Sequence, residues 1–102
     1  MAQASDVLAV AVREIGTVEQ SGNRQKYGKA YGMDGVYWCM QFVWWCFQQV
    51  DKTLFMDGGK TASCGELMRW AQAHGQWVTT GYRPGDVLIY DFPGTAYKTD
   101  HC

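Results

Sequence analysis

The spacing of apolar residues predicts helices along the first part of the chain. Four apolar residues recur at helical spacing near the N-terminus: Leu8, Ala11, Val12 and Ile15. Ser5 is suited to cap this helix and Gly16 to end it. Tyr27 and Tyr31 lie four residues apart, so they share one face of a second short helix over residues 24–32. Each helix therefore has one face to bury.

A third segment is apolar nearly all the way around a helix. Between Cys39 and Val50 the chain reads CMQFVWWCFQQV, with large apolar side chains in almost every direction. A helix of this kind is buried on several sides, which predicts that it is the central element of the fold. Ser63 and Glu66 form a capping-box pattern that predicts the start of a fourth helix, and Gly75 closes it.

Beyond residue 75 the pattern changes from helical to extended. Residues 76–80, QWVTT, are β-branched and aromatic, residues 83–86, RPGD, are typical of a turn, and residues 87–92, VLIYDF, indicate a strand buried on both faces. Helices followed by strands predict an α+β fold, with the helices packed on an antiparallel sheet. Only two strands are predicted, so the sheet is expected to be truncated at the C-terminus.

Composition and charge argue against several classes of protein. The chain has 102 residues, 47% of them hydrophobic, which suits one small globular domain over residues 1–102 and not a disordered tail. A net charge of −1 without a basic block argues against a nucleic-acid partner. No stretch approaches the roughly 20 apolar residues of a membrane span, so no membrane insertion is expected. The N-terminus lacks the basic start of a signal peptide, which predicts synthesis in the cytoplasm.

The four cysteines leave three alternatives, which are free thiols, disulfides and a metal site. Without a secretion signal, free thiols are favoured over disulfides. The spacings contain neither a CxxC nor an HxxxH pair, which argues against structural zinc. The sequence therefore predicts no metal ion and no cofactor.

Cys39 is the candidate nucleophile because of its position. It lies where the loop YGMDGVYW turns into the central helix, and a helix N-terminus stabilises the thiolate through its dipole and its free N–H groups. The same N–H groups could receive the oxyanion of a tetrahedral intermediate. Cys46, two turns inside the helix, has neither advantage and is expected to be an inert core residue.

A thiol nucleophile needs a base, and the chain has two histidines. His74 falls in the last turn of the fourth helix, where a histidine commonly interacts only with free carbonyl groups. His101 follows the predicted buried strand and a turn, so it could lie on the next strand and face the start of the central helix. We therefore predict that His101 is the partner of Cys39.

Four stretches, in chain order, resemble one known family. They are NRQKYGKAYGMDGVYWCMQFVWWCF, KTASCGELMRWAQAHGQW, YRPGDVLIYDF and the terminal TDHC. The WC pair at a helix start, the PGD before an apolar strand and the DH pair are the specific parts. Together they resemble the CHAP family of cysteine, histidine-dependent amidohydrolases and peptidases, in the form found in phage and prophage endolysins.

The resemblance implies a papain-like α+β fold and cleavage of an amide bond in bacterial peptidoglycan. The bond would be either the muramoyl–alanine amide or a bond within the stem peptide or cross-bridge, cut after release from the cell that makes the enzyme. Cys39 would be the nucleophile and His101 the general base. Family members continue past the histidine strand, so the domain is expected to be incomplete after His101 and weak or inactive alone. Calcium, which some relatives bind, is not expected because Asp34 is the only carboxylate in the corresponding segment.

Four residues near the proposed nucleophile are candidates for substrate contact. Tyr31, Tyr37 and Trp38 flank it and could line a groove, while Asn23 could contact substrate or, more simply, cap a helix. The predicted partner is peptidoglycan, and exposed strand edges could also allow self-association. The alternative function is a catalytically inactive cell-wall-binding or inhibitory module of the same fold.

Overall fold

Four α-helices and one short 3₁₀ turn make up the regular structure of the described part of the chain. In a computed structural model, the described residues are 4–18, 20–22, 24–33, 35, 38–90 and 101–102. The helices, listed in chain order, are α1 (Ala4–Arg13), α2 (Lys26–Tyr31), α3 (Cys39–Gln48) and α4 (Cys64–Ala73). The 3₁₀ turn, Phe55–Gly58, lies between α3 and α4. The four helices therefore lie close to the predicted segments. The predicted apolar face of α1 is wrong, however, because Val7 and Val10 are its buried residues, whereas Leu8, Val12 and Ile15 are exposed.

Helix α3 lies at the centre, as its all-round apolar pattern predicted. It packs against α1, α2 and the 3₁₀ turn. On one side Cys46 packs with two valines of α1, Val7 and Val10. On the other side Met40 packs with Phe55 and with Cys64 at the start of α4. Each cluster uses a different face of α3, and this explains why the helix has no polar face.

Tyr27 fixes α2 onto its two neighbouring helices. The side chain is 1% exposed, and its ring packs against Phe42 and Trp45 of α3 with centroids 4.8 and 5.1 Å away. The ring also stacks on Trp38, at 5.5 Å. Its hydroxyl donates a 3.0 Å hydrogen bond to the Glu14 carboxylate, just after α1. One aromatic side chain therefore ties α1, α2 and α3 together.

Two glutamines order the contact between α2 and the start of α3. The side chain of Gln25 caps α2, because its Oε1 accepts a 2.8 Å hydrogen bond from the Gly28 N–H. Gln41 is fully buried, and its Nε2 donates to the Met33 carbonyl oxygen at 3.1 Å. The cap was predicted at Asn23, which lies outside the described residues.

The start of α4 follows its capping-box pattern in part. The Ser63 hydroxyl accepts a 3.2 Å hydrogen bond from the Glu66 N–H, as predicted. The Glu66 carboxylate accepts instead from the hydroxyl of buried Thr61, at 2.6 Å, and that hydroxyl accepts from the Ser63 N–H at 3.0 Å. Thr61 thus takes the place that the Glu66 side chain holds in a complete capping box.

The prediction of an α+β, papain-like fold is wrong. No strand or sheet forms within the described residues. Residues 76–80 are exposed coil, and the antiparallel pairing expected after residue 87 is reduced to a single bridge, in which the Tyr90 N–H donates to the His101 carbonyl oxygen at 2.7 Å. Strand propensity depends on a partner strand, and a two-stranded hairpin is marginal alone.

The absence of a sheet changes one further expectation. Self-association through strand edges presupposed strands, which the described part of the chain does not form. The segment over residues 87–89 still contributes to the core, because Val87 and Ile89 pack against the cluster around Met40. Within the described ranges, none of the helices combines the length and apolar character needed to cross a membrane.

Candidate functional site

Cys39 is the first residue of α3. Trp38 is the N-cap and gives no side-chain capping bond, and the first backbone bond of the helix runs from the Phe42 N–H to the Trp38 carbonyl oxygen at 2.9 Å. Within the described residues, no backbone oxygen pairs with the N–H groups that precede it, and the positive end of the helix dipole lies beside the Cys39 sulfur. Cys39 is half-buried, whereas Cys46 of the same helix is buried.

His101 lies beside Cys39. Its side chain contributes to the lowered pKa of the Cys39 thiol, and the sulfur of the adjacent Cys102 lies within 4.8 Å of the Cys39 sulfur, although these residues are far apart in the sequence. Tyr90 holds His101 from the other side through the backbone bond described above and through ring stacking, with centroids 6.2 Å apart. The structure thus brings together the two residues predicted to be catalytic.

Two further cysteines complete a cluster that the sequence analysis missed. The Sγ atoms of Cys39, Cys64 and Cys102 all lie within 4.8 Å of one another, and all three are unbridged thiols. Cys64 is the first residue of α4, and Cys102 follows His101. The Cys102 Sγ is also 4.0 Å from the Sδ of buried Met40. We call Cys39, Cys64 and Cys102 the thiol cluster.

The thiol cluster polarises its members in opposite directions. The thiols of Cys102 and Cys64 donate hydrogen bonds to the Cys39 sulfur, and with a smaller contribution from His101 they hold the pKa of Cys39 far below its usual range. The hydrogen bond with Cys102 lowers the pKa of Cys64, but donation to Cys39 and burial outweigh it and raise that pKa to about 11. Donation to Cys39 and then to Cys64 raises the pKa of Cys102. Cys39 is therefore the thiolate of the cluster.

Cys46 has the inert environment that its interior position on α3 suggested. It is 3% exposed and packs among apolar side chains of α1 and α3. Burial, with a smaller contribution from the negative charge of Glu14, raises the pKa of Cys46 to about 11. The two cysteines of α3 therefore differ in chemistry through position alone.

His74 lies at the opposite end of α4 from the thiol cluster. Its Nδ1 is 2.7 Å from the Trp70 carbonyl oxygen, and its ring stacks on the Trp70 ring with centroids 4.0 Å apart. This is the role of a histidine at a helix C-terminus that the sequence suggested. The position of His74 leaves His101 as the imidazole next to Cys39.

The predicted substrate-contacting residues have different environments. Trp38 is half-buried between Tyr27 and Phe42, so it is part of the packing of α2 on α3 as well as a neighbour of Cys39. Tyr31 packs edge-on against Trp44 at 5.2 Å, and the Lys60 ammonium lies 4.2 Å from the Tyr31 ring centroid. The other two candidates, Tyr37 and Asn23, lie outside the described residues.

An open apolar cleft of about 580 Å³ adjoins the site. Its walls come from α1, α3 and residues 85–90, and both His101 and Cys102 line it. Within the described residues Cys39 does not line this cleft, so a molecule bound there would meet the imidazole before the nucleophilic sulfur. A cleft of this size is within the range of small-molecule and peptide sites.

The arrangement can support nucleophilic attack by sulfur or binding of a soft metal ion. A thiolate beside an imidazole at a helix N-terminus is the arrangement of cysteine hydrolases. Three sulfurs within 4.8 Å can also converge on one cation. The local signal for Cys64 and Cys102 was weak, because only the count of four cysteines hinted at a cluster.

No family model matches the chain, and neither a curated protein nor a solved structure matches it.

Proposed function

We propose that this chain is a cysteine-dependent amide hydrolase that acts on bacterial peptidoglycan. The observation that carries the proposal is the position of His101 beside the first residue of α3: its neighbour Cys102 has its sulfur within 4.8 Å of the Cys39 sulfur, and the His101 side chain contributes to the lowered pKa of Cys39. A sulfur nucleophile, a proton acceptor and a set of free backbone donors are then in one place. These are the groups that acyl transfer through a thioester requires.

The reaction would proceed in two balanced steps. The Cys39 thiolate attacks the amide carbonyl carbon and forms the S–C bond, and backbone N–H groups at the start of α3 stabilise the oxyanion. Protonated His101 gives its proton to the amide nitrogen, so the C–N bond breaks and the amine leaves. His101 then takes a proton from water, the hydroxide attacks the thioester, and the C–S bond breaks to return the thiolate.

The choice of substrate rests on the resemblance of four sequence stretches to CHAP hydrolases and not on the fold. Thiol–imidazole pairs recur on unrelated architectures, because the reaction depends on the local geometry of the reacting groups. The helical architecture therefore leaves the reaction open to this chain. The apolar cleft beside His101 offers room for a peptide segment, and Trp38 offers a ring next to the nucleophile.

Release of soluble fragments from purified peptidoglycan tests the proposal. We expect the unsubstituted chain to release fragments with new amino groups, Cys39→Ser to lower the rate by about a thousandfold or more, and His101→Ala by about a hundredfold or more. His74→Ala is the matched control, because it removes an imidazole at the opposite end of α4 from the thiol cluster. Its rate should stay within about twofold of the unsubstituted chain.

Two results would contradict the proposal. One is hydrolysis that survives Cys39→Ser, which would place the nucleophile elsewhere. The other is an unsubstituted chain that sediments with peptidoglycan and releases no fragments, which is the behaviour of a wall-binding module. Free amino groups and sedimentation are measured on the same samples, so the two functions are separated in one experiment.

A further inference from the structure

Three thiols converge at one point although their residues are far apart in the chain. Cys39, Cys64 and Cys102 have sulfurs that all lie within 4.8 Å of one another. The three sulfurs therefore form a triangle with no side longer than 4.8 Å. In tetrahedral zinc sites the Zn–S distance is about 2.3 Å, which places ligand sulfurs about 3.8 Å apart. Shifts of about 1 Å at most would bring the triangle to that spacing.

The surroundings of the thiol cluster favour bound sulfur anions. Cys39 begins α3 and Cys64 begins α4, so two ten-residue helices direct their positive ends at the cluster. Cys64 is 7% exposed, and the thioether of buried Met40 lies 4.0 Å from the Cys102 sulfur. Soft sulfur ligands in a partly dehydrated site select thiophilic cations over magnesium or calcium.

We propose that the thiol cluster binds one thiophilic divalent cation of the zinc type, through the sulfurs of Cys39, Cys64 and Cys102. Binding forms three metal–sulfur bonds, and the S–H protons that the thiol cluster still carries are released to solvent. The fourth position of the tetrahedron is left for water or another small ligand. The sequence analysis argued against zinc from local spacings alone, and the fold joins cysteines that no local spacing connects.

The metal site and the proposed hydrolysis both use the Cys39 sulfur. A cation on the Cys39 sulfur withdraws the electron pair that attacks the amide, so metal binding and hydrolysis exclude each other. This consequence rests on the proposed function, but the metal site itself does not. Cation binding would stand even for a chain without hydrolytic activity.

Titration of the reduced chain with Co²⁺ tests the metal site, because thiolate-bound Co²⁺ gives sulfur-to-metal charge-transfer absorption. The chain is reduced with a phosphine, which does not compete for the metal as a thiol reductant would. We expect saturation at one Co²⁺ per chain and loss of the absorption when Zn²⁺ is added. Cys64→Ser and Cys102→Ser should each weaken Co²⁺ binding at least tenfold, since even loss of an outer-shell partner costs about that much.

Cys46→Ala is the matched control and should leave the Co²⁺ titration unchanged, because Cys46 lies in the other core cluster. Far-ultraviolet circular dichroism checks that each variant is folded. Because Cys102 is half-buried and Cys64 is buried, Cys102→Ser stays informative even where Cys64→Ser unfolds the chain. Absence of charge-transfer absorption in the folded, reduced chain would overturn the proposal. So would an unchanged titration for Cys102→Ser. The readout is optical and needs no substrate, so it fails or succeeds independently of the hydrolysis assay.

Discussion

Cys39 and Cys46 show how one residue type acquires two chemistries on one helix. Cys39 begins α3, half-buried, where two thiols and an imidazole donate to its sulfur. Cys46 is buried inside the same helix among apolar side chains. Donors stabilise the thiolate at the first position, and burial opposes it at the second. The contrast comes from environment, because the side chains are identical.

The buried thiol leads to a prediction about alkylation. At pH 8 we expect iodoacetamide to label Cys46 about a hundredfold more slowly in the folded chain than in denaturant, because a pKa raised from 9.0 to about 11 lowers the thiolate fraction by that factor. Peptide mapping by mass spectrometry measures each cysteine separately. Equal rates for Cys46 in folded and denatured chain would contradict the placement of this residue in the core.

The raised pKa of Cys46 also determines how the free energy of unfolding changes with pH. The folded state holds the Cys46 proton more tightly than the unfolded state, because the pKa is raised on folding. This contribution to the free energy of unfolding is therefore fully present below about pH 9 and is lost as the pH rises through about 11.

For single residues, the sequence predicted those properties that depend on where the residue lies within one helix. The start of α3 at Cys39 and the interior position of Cys46 both follow from the apolar pattern of one segment. The thiol cluster could not be predicted in this way, because Cys64 and Cys102 meet Cys39 only through tertiary packing. Local spacing carries no information on such contacts.

At the level of elements, the helices were predictable and the strands were not. The start of α4 has its own signal in the Ser63 cap, and α3 has its all-round apolar pattern. The position of α1 was predictable but its buried face was not, because Val7 and Val10 face the core in place of the predicted residues. A strand needs a partner that the sequence does not identify, and strand propensity reflects packing against that partner. In residues 87–89, Val87 and Ile89 pack against the core cluster around Met40 instead, and the segment forms no strand.

The packing of α1 on α3 can be measured with a matched pair of valines. Val10 is 4% exposed and contacts Cys46, whereas Val12 of the same helix is 63% exposed. We expect Val10→Ala to lower the free energy of unfolding by about 1–3 kcal/mol, since it leaves a cavity, and Val12→Ala to change it by less than about 0.5 kcal/mol. Urea denaturation followed by circular dichroism gives both values. Similar losses for the two variants would argue against this helix face as the buried one.

At the level of the whole molecule, the turn at residues 83–86 closes onto the start of α1. Asp86 stabilises the turn, because its carboxylate accepts a 2.8 Å hydrogen bond from the Arg83 N–H. Gly85 lies so close to Ala4 that an added Cβ would overlap the Ala4 side chain and come within 3.3 Å of its Cα. The C-terminal part of the described chain is thereby joined to its N-terminal helix.

Two glycine substitutions distinguish the energetic cost of the Gly85–Ala4 contact from the cost of a positive φ angle. Gly81 and Gly85 both have positive φ, +71° and +95°, but a Cβ on Gly81 would meet no atom within 4 Å. Gly81→Ala and Gly85→Ala should therefore share a backbone cost of about 1–2 kcal/mol, and only Gly85→Ala should lose a further 1–3 kcal/mol, about what overpacking costs. Free energies of unfolding from urea curves decide this. If the two variants are equally destabilised, the turn does not rest on α1.

The position of Phe47 ties the stability of the two clusters together. Its ring packs with the Val7–Val10–Cys46 group and also with the Met40–Phe55–Cys64 group. Opening either cluster exposes one side of α3 to water, so unfolding of one cluster destabilises the other. The protein is thus built to lose its structure in a single all-or-none transition, and the reactive sulfurs would be dispersed in that same event.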